Sequence, residues 1–123
     1  MFSVVAFDFS GSGHSEGQFI SLGHYEKFDL QKVVEYVRNY SKNNQIGLWG
    51  RSMGAVTALM YAKLDPQISV MVLDSPFSSL RLLSQELGDK YTKMPGFLIN
   101  MFLKFLRDTV MEKNNFDIDD LDP

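Results

Sequence analysis

Residues 45–56 read QIGLWGRSMGAV, and this stretch decides how the rest of the chain is interpreted. Its centre, residues 50–54, is a G-x-S-x-G sequence that follows a short apolar run and opens a segment of small and apolar residues. On a sharp strand-to-helix turn, such a sequence holds the serine hydroxyl out at the carboxyl edge of a sheet. We therefore expect Ser52 on a tight turn, with Gly50 and Gly54 as its structural residues. One glycine would permit a strained backbone and the other a close approach of helix to strand.

Apolar runs and amphipathic segments alternate on both sides of this motif. Residues 2–9 are rich in Val and Phe and residues 68–73 are largely apolar, which is typical of strands that are buried on both faces. Residues 28–40 carry apolar side chains at helical spacing. Strands that alternate with helices of this length indicate a parallel sheet, so the predicted fold class is α/β. The predicted elements are strands at 2–9, 45–49 and 68–73, a loop at 10–23, and helices at 28–40, 53–63, 80–91 and 95–111.

The composition excludes several classes of function. The chain has 123 residues, a net charge of −3 and no cysteine. Its cations are scattered, so no nucleic-acid surface is predicted, and without cysteine there is no disulfide or thiolate nucleophile. No metal-ligand cluster, phosphate loop or cofactor motif is visible, so neither a metal nor a cofactor is expected. The apolar start is cut short by Asp8, which fits neither a signal peptide nor a membrane span, and a cytoplasmic location is expected.

Two further segments, together with the G-x-S-x-G sequence, resemble those of a known family. Residues 7–15, FDFSGSGHS, resemble the family signature D-x-R-G-x-G-x-S, and residues 74–77, DSPF, resemble a sequence often found after its sixth strand. The chain therefore resembles the α/β-hydrolase superfamily, close to its serine aminopeptidase-type and lysophospholipase-like branch. It departs from the signature at Ser10, where the family has arginine.

The resemblance implies a single, truncated α/β-hydrolase domain over residues 1–123. Within it, 1–77 is the well-matched core with about three strands, 78–112 a helical segment that resembles a lid, and 113–123 an acidic tail. The resemblance also implies that Ser52 is a nucleophile and that the backbone N–H of Met53 is an oxyanion-hole donor. Arg51 and Met53 fill the variable positions of the motif, where simple packing of their side chains is favoured over a special role. The reaction would be hydrolysis of a small-molecule ester, amide or acyl substrate through an acyl-enzyme.

The family's sheet order predicts a gap in this chain. The third strand of that sheet lies between the two strands that resemble 2–9 and 45–49, and the chain shows no counterpart to it. Either the two segments close up and pair directly, or backbone groups facing the gap go unpaired, which is costly when they are buried.

The residues that would activate Ser52 are harder to assign. In the family, the acid and the histidine follow the serine, yet both histidines here precede it. His14 is expected to be a solvent-facing loop residue and His24 a surface or packing residue, so neither is a convincing general base. Asp74 could be the acid, but a turn or capping role is favoured, because an acid without a histidine does little. Without a base, a serine hydroxyl is a poor nucleophile.

Two functions therefore stay open. The first is a truncated serine hydrolase, and the alternative is a non-catalytic α/β fragment or degenerate paralogue that binds a partner through exposed strand edges. Such edges also predict self-association of the isolated chain. The apolar helix at 95–111 could be a lid, although packing on the core is favoured. Membrane contact through 97–107 has weak support, from Lys104 and Arg107 alone.

Overall fold

The sheet of the computed structural model consists, among the described residues, of two parallel strands, β1 (Ile46–Arg51) and β2 (Ile68–Asp74). The structure describes residues 3–41, 45–79, 82–83 and 95–114. The strands pair along their whole length, with one irregularity between Ile46 and Gly47. Since Arg51 stands opposite Asp74, both strands end at the same edge of the sheet. The prediction of a parallel sheet is confirmed.

Three helices flank or follow the strands: α1 (Glu26–Tyr40), α2 (Met53–Ala62) and α3 (Gly96–Asn114). Each lies within a few residues of a predicted helix. The helix predicted at 80–91 falls largely outside the described residues, which include only 82–83 there. None of the described helices is long and apolar enough to cross a membrane.

Residues 3–9 are not part of the sheet, so the prediction of a strand at 2–9 is wrong for the described residues. The rings of Phe7 and Phe9 lie 5.0 Å apart, as side chains of alternate residues do on one side of an extended backbone. The backbone is thus extended around Phe7 and Phe9, but a strand also needs a neighbour to hydrogen-bond with. An open groove of about 570 Å³ separates it from β1. The sequence left two outcomes open, direct pairing of this segment with β1 or unpaired backbone groups on both sides of a gap. The structure shows the second.

Helix α2 forms the centre of the core. Its residues are buried on nearly every side, because small and apolar side chains let it pack on the sheet and on α1 together. Two clusters of buried side chains result, one of which also contacts partly buried residues of both strands. The first contains Val56, Met60 and Phe77, and the second, on the side of the strands, contains Leu30, Val34 and Tyr61.

Asp65, buried just after α2, joins both helices to the second strand. Its carboxylate accepts a hydrogen bond from the Tyr61 hydroxyl at 2.7 Å and pairs with Arg38 of α1 at 2.9 Å. It also accepts the backbone N–H of Gln67, just before β2, at 3.1 Å. Burial acts to raise the pKa of Asp65, but the hydrogen bonds from Tyr61 and Arg38 outweigh it and hold that pKa below its usual value. Burial and the bond to Asp65 raise the pKa of Tyr61 to about 12.

A second buried carboxylate holds the loop before α1 against α2. Glu26 is only 2% exposed, and it accepts the backbone N–H groups of Ser21 at 2.6 Å and Gly23 at 2.8 Å, as well as the Ser21 hydroxyl. Gly23 has a φ of +116°, and a Cβ there would lie 3.1 Å from the side chains of Val56 and Met60. Glu26 therefore satisfies buried backbone donors of the loop before α1, while Gly23 permits that loop to lie on the core.

Candidate active site

Ser52 is the single residue between β1 and α2. Its backbone has φ 50° and ψ −117°, a conformation that costs an L-residue about 1–3 kcal/mol. Its N–H donates to the carbonyl oxygen of Asp74 at 2.9 Å, and its own carbonyl accepts the N–H groups of Ala55 and Val56 at 3.0 and 3.1 Å. The turn is therefore held by the neighbouring strand on one side and by the first turn of α2 on the other.

Gly50 permits the helix to begin directly against the strand. A Cβ on Gly50 would lie 2.3 Å from the carbonyl carbon and oxygen of Gly54, which is a severe overlap. A Cβ on Gly54 would meet nothing within 4 Å. The close approach expected at this turn thus depends on Gly50, and the strained backbone lies at Ser52 itself rather than at either glycine.

The start of α2 places backbone donors next to Ser52. Ser52 is exposed, and Met53 is the first residue of the helix. The N–H groups of a first helical turn have no intrahelical acceptor, and the helix dipole places partial positive charge there. In the described part of the chain, nothing accepts a hydrogen bond from the N–H of Met53. This end of the helix is therefore suited to stabilise a negatively charged oxygen.

Asp74 contributes a carboxylate to the same edge. The Ser75 hydroxyl donates to it at 2.7 Å, and the Nε of Arg51 lies 3.5 Å from its other oxygen. Ser75 also has a positive φ of 54°. These contacts fit the turn role favoured for Asp74. Arg51, for which simple packing is the favoured interpretation, has a side chain that is 83% exposed and paired with this carboxylate.

The two histidines lie in loops before α1. His14 is exposed, and its backbone N–H donates to the carboxylate of Asp8 at 3.0 Å. His24 is half-buried and packs edge-on against Tyr25, with ring centroids 4.7 Å apart. Within the described residues, no side chain is hydrogen-bonded to the hydroxyl of Ser52. The structure thus places Ser52 beside Met53 and Asp74 but brings neither histidine into bonding contact with it.

Asp8 organises the glycine-rich loop, a role that sequence reasoning missed. Besides the bond from His14, its backbone carbonyl accepts the Ser15 hydroxyl at 2.7 Å. A Cβ on Gly13 would lie 2.2 Å from the Asp8 carboxylate, so the loop closes tightly over that side chain. The sequence feature that could have indicated this role is the position of Asp8 at the start of the signature, six residues before His14.

The described part of the chain contains no preformed metal site. Nowhere in it are three histidine, aspartate or glutamate side chains grouped as a metal ion would require. The described groups at this edge are the hydroxyls of Ser52 and Ser75, the carboxylate of Asp74, the guanidinium of Arg51 and backbone N–H groups.

The family is shown by a match over most of the chain. Residues 1–113 match the model of the alpha/beta hydrolase fold. The chain therefore belongs to the α/β-hydrolase family, as the three sequence segments indicated.

Known relatives include proteins that are named as hydrolases. The chain is 47% identical over 79 residues to the uncharacterized protein YqkD of Bacillus subtilis. This match covers 62% of this chain and 26% of that protein. It is 29% identical over 104 residues to the lysophosphatidylserine lipase ABHD12 of Gallus gallus, covering 78% of this chain and 26% of the lipase. The solved structure of the Pyrococcus furiosus esterase Pf2001 matches with a TM-score of 0.63 and 30% identity, over 81% of this chain and 40% of the esterase. The chain thus spans about a quarter of the length of YqkD and of the lipase.

Proposed function

We propose that this chain carries the nucleophile of an ester hydrolase and that Ser52 forms the acyl-enzyme. The observation that carries the proposal is the strained, exposed position of Ser52 between β1 and α2. Backbone strain persists only where the surrounding structure maintains it, and here its effect is to present a serine at the sheet edge. Membership of the α/β-hydrolase family and similarity to a lipase and an esterase support an acyl ester as the substrate.

In the proposed reaction, the Ser52 Oγ attacks the carbonyl carbon of the ester while its proton passes to a general base. The bond from that carbon to the alcohol oxygen then breaks, and the protonated base returns the proton to the leaving alcohol. Water hydrolyses the acyl-enzyme by the same route, which releases the acid and restores Ser52. The N–H of Met53 would face the charged oxygen of each tetrahedral intermediate, and a donor of this kind contributes about 3 kcal/mol.

The general base is the role that the described residues leave open. Because the Ser52 hydroxyl has no hydrogen-bond partner among them, it is presented but not activated. We therefore expect the purified chain not to hydrolyse a short p-nitrophenyl ester appreciably. An uncharged fluorophosphonate probe should label Ser52 slowly or not at all.

Supplying a base from solution tests the assignment. Fluorophosphonate labelling of the purified chain is measured with and without added imidazole, which can take the serine proton in place of a histidine. We expect imidazole to accelerate labelling, peptide mass spectrometry to place the adduct on Ser52, and Ser52→Ala to abolish it. Ser78→Ala, at an exposed serine outside the turn, should label like the unchanged chain.

Three outcomes would change the assignment. An adduct on another residue would contradict Ser52 as the nucleophile. Strong labelling that needs no imidazole and is lost in Ser52→Ala would mean that the chain contains its own base, and His14 would be the next residue to mutate. No labelling in any condition would favour the second candidate, a non-catalytic binding module. The exposed apolar groove beside β1 is the observation that supports that alternative.

A further inference from the structure

The segment 74–77, DSPF, leads from the end of β2 into the core. Its first residue, Asp74, accepts the backbone N–H of Ser52 on its carbonyl oxygen at 2.9 Å. Its last residue, Phe77, is 9% exposed and belongs to the buried cluster that also contains Val56 of α2. The segment therefore reaches the serine turn at one end and the helix that follows this turn at the other.

The contacts at the two ends of the segment converge on the backbone of Ser52. The N–H of Val56 donates to the carbonyl oxygen of Ser52 at 3.1 Å, while the side chain of Val56 lies in the cluster with Phe77. Ser52 is thus held at its N–H by Asp74 and at its carbonyl by a helical turn whose side chains form a cluster with Phe77. A strained conformation persists only where the surrounding contacts over-determine it, and these contacts do so for Ser52.

The middle of the segment is itself strained. Ser75 has a φ of 54°, although a residue before a proline, here Pro76, ordinarily adopts an extended conformation with negative φ. A side chain also disfavours positive φ, so two preferences are overridden at this residue. The carbonyl of Asp74 lies in the planar peptide unit that ends at the nitrogen of Ser75, so the φ of Ser75 is coupled to the direction of that carbonyl. The conformation of Ser75 thus helps to direct the acceptor that the Ser52 N–H bonds to.

We propose that the segment 74–77 is a clamp that maintains the strained, exposed conformation of Ser52, with Ser75 and Phe77 as positioning residues. This inference rests on the proposed function, because it concerns the residue that would form the acyl-enzyme. Both residues act through the backbone of Ser52 rather than on the substrate. Ser75 acts through the carbonyl of Asp74, and Phe77 acts through the first turn of α2.

Substitutions at Ser75 test the clamp by the reactivity of Ser52. Labelling by the uncharged fluorophosphonate probe is measured in the presence of imidazole. Valine is β-branched and nearly excluded from positive φ, so we expect Ser75→Val to label at least about tenfold more slowly than the unchanged chain. Ser75→Gly, which adopts positive φ freely, should retain the reactivity that Ser75→Val loses. Ser78→Val, the same change at an exposed serine beyond the clamp, should label like the unchanged chain. Equal rates in Ser75→Val and Ser78→Val would overturn the proposal.

Hydrogen exchange of single backbone amides, followed by NMR, tests the clamp without any reaction at Ser52. The Ser52 amide should exchange at least about tenfold faster in Ser75→Val than in the unchanged chain, because its acceptor is turned away. Amides in the middle of β1 should keep their rates, whereas a general loss of stability would accelerate both. Unchanged exchange at Ser52 would overturn the clamp even where labelling succeeds. A lack of labelling in the unchanged chain would contradict the proposed function, and the exchange rates would still decide about the clamp.

Phe77→Leu provides a second variant that tests the other end of the clamp. The smaller side chain loosens the contact with α2, so we expect labelling to slow and exchange of the Ser52 amide to accelerate about fivefold. Val110→Ala, which trims the same cluster from α3, is the matched control and should leave both rates unchanged. Equal changes in the two variants would reflect packing of the cluster in general and would overturn the positioning role of Phe77.

Discussion

Ser52 and Ser75 each follow directly on a parallel strand, and each has a positive φ, of 50° and 54°. The two strained residues lie at the same edge of the sheet, where the N–H of Ser52 donates to the carbonyl of Asp74. Strain of this kind has to be maintained by the surrounding packing, and it commonly marks functional sites. At the scale of single residues, the edge that presents the serine is therefore held at a cost in stability.

Replacing Ser52 by glycine should stabilise the fold. Ser52→Gly removes about 1–3 kcal/mol of backbone strain but adds about 0.5–1 kcal/mol of chain entropy, so we expect a gain of about 1 kcal/mol. Ser52→Ala keeps the strain and should leave stability nearly unchanged. Urea unfolding at one protein concentration measures the difference. A Ser52→Gly variant that is less stable than Ser52→Ala by about 0.5–1 kcal/mol would show that the turn is not strained.

The two glycines of the turn should respond in opposite ways to alanine. Gly50→Ala forces a methyl group against the backbone of Gly54 and should cost about 3 kcal/mol or prevent folding. Gly54→Ala meets open space within a helix and should be neutral or stabilising by up to about 1 kcal/mol. Thermal unfolding followed by circular dichroism compares the pair. A similar loss in both variants would contradict the close approach at Gly50.

At the scale of elements, a buried carboxylate joins α1, α2 and β2 more specifically than apolar packing does. Asp65 bonds to one side chain of each helix and to the backbone just before β2. Apolar contacts are non-directional, whereas these hydrogen bonds have defined lengths and angles. The relative positions of the elements that carry the serine turn therefore depend on a residue with no part in the proposed chemistry.

This network predicts a loss of stability in acid. The folded chain holds the pKa of Asp65 below its usual value of 3.8, so the unfolded chain binds more protons as the pH falls through that region. The contribution of Asp65 is therefore present above about pH 4 and is lost at lower pH. Tyr61→Phe removes one of the bonds that lower this pKa and should flatten the dependence, whereas Tyr36→Phe, at an exposed tyrosine, should not. Melting temperatures between pH 3 and 7 provide the measurement. Identical profiles for the two variants would contradict the role of the Tyr61 hydroxyl.

At the scale of the whole molecule, α3 contacts the core at Val110, near its carboxyl-terminal end. Val110 packs against the cluster that contains Val56 and Phe77, whereas Phe97 and Met101 near the other end are 69% and 63% exposed. The contact at Val110 supports the favoured interpretation, a helix that packs on the core, which stays a prediction for the rest of α3. A lid role for the exposed half stays a prediction.

Polar substitutions should separate the two halves of α3. Val110→Ser removes apolar contact with the core and should lower the stability by about 1 kcal/mol. Phe97→Ser removes an exposed ring and should leave the stability within about 0.5 kcal/mol of the unchanged chain. Chemical unfolding of both variants at equal concentration measures the difference. A larger loss for Phe97→Ser would mean that the exposed half is covered in solution.

The sequence by itself determined those features that depend on local pattern. Helical spacing predicted α1, and the G-x-S-x-G sequence between an apolar run and small residues predicted a serine on the turn between β1 and α2. These predictions succeeded because period, turn chemistry and small side chains act over a few neighbouring residues. The family could also be inferred, since its three segments are short and contiguous.

Only the tertiary structure decided the features that depend on distant residues. Residues 3–9 have the composition of a strand, but strand formation requires a neighbouring edge, and no pattern within the segment reports whether one is there. The close approach of α2 to β1 requires a glycine at position 50 and not at position 54. Which of the two is required depends on how α2 meets β1, because this sets the direction in which each Cβ would point. Asp65 reads in sequence as an ordinary residue before proline, yet its carboxylate becomes a buried acceptor because three elements converge on it. In each case the deciding interaction joins residues whose separation in space cannot be read from their order in the chain.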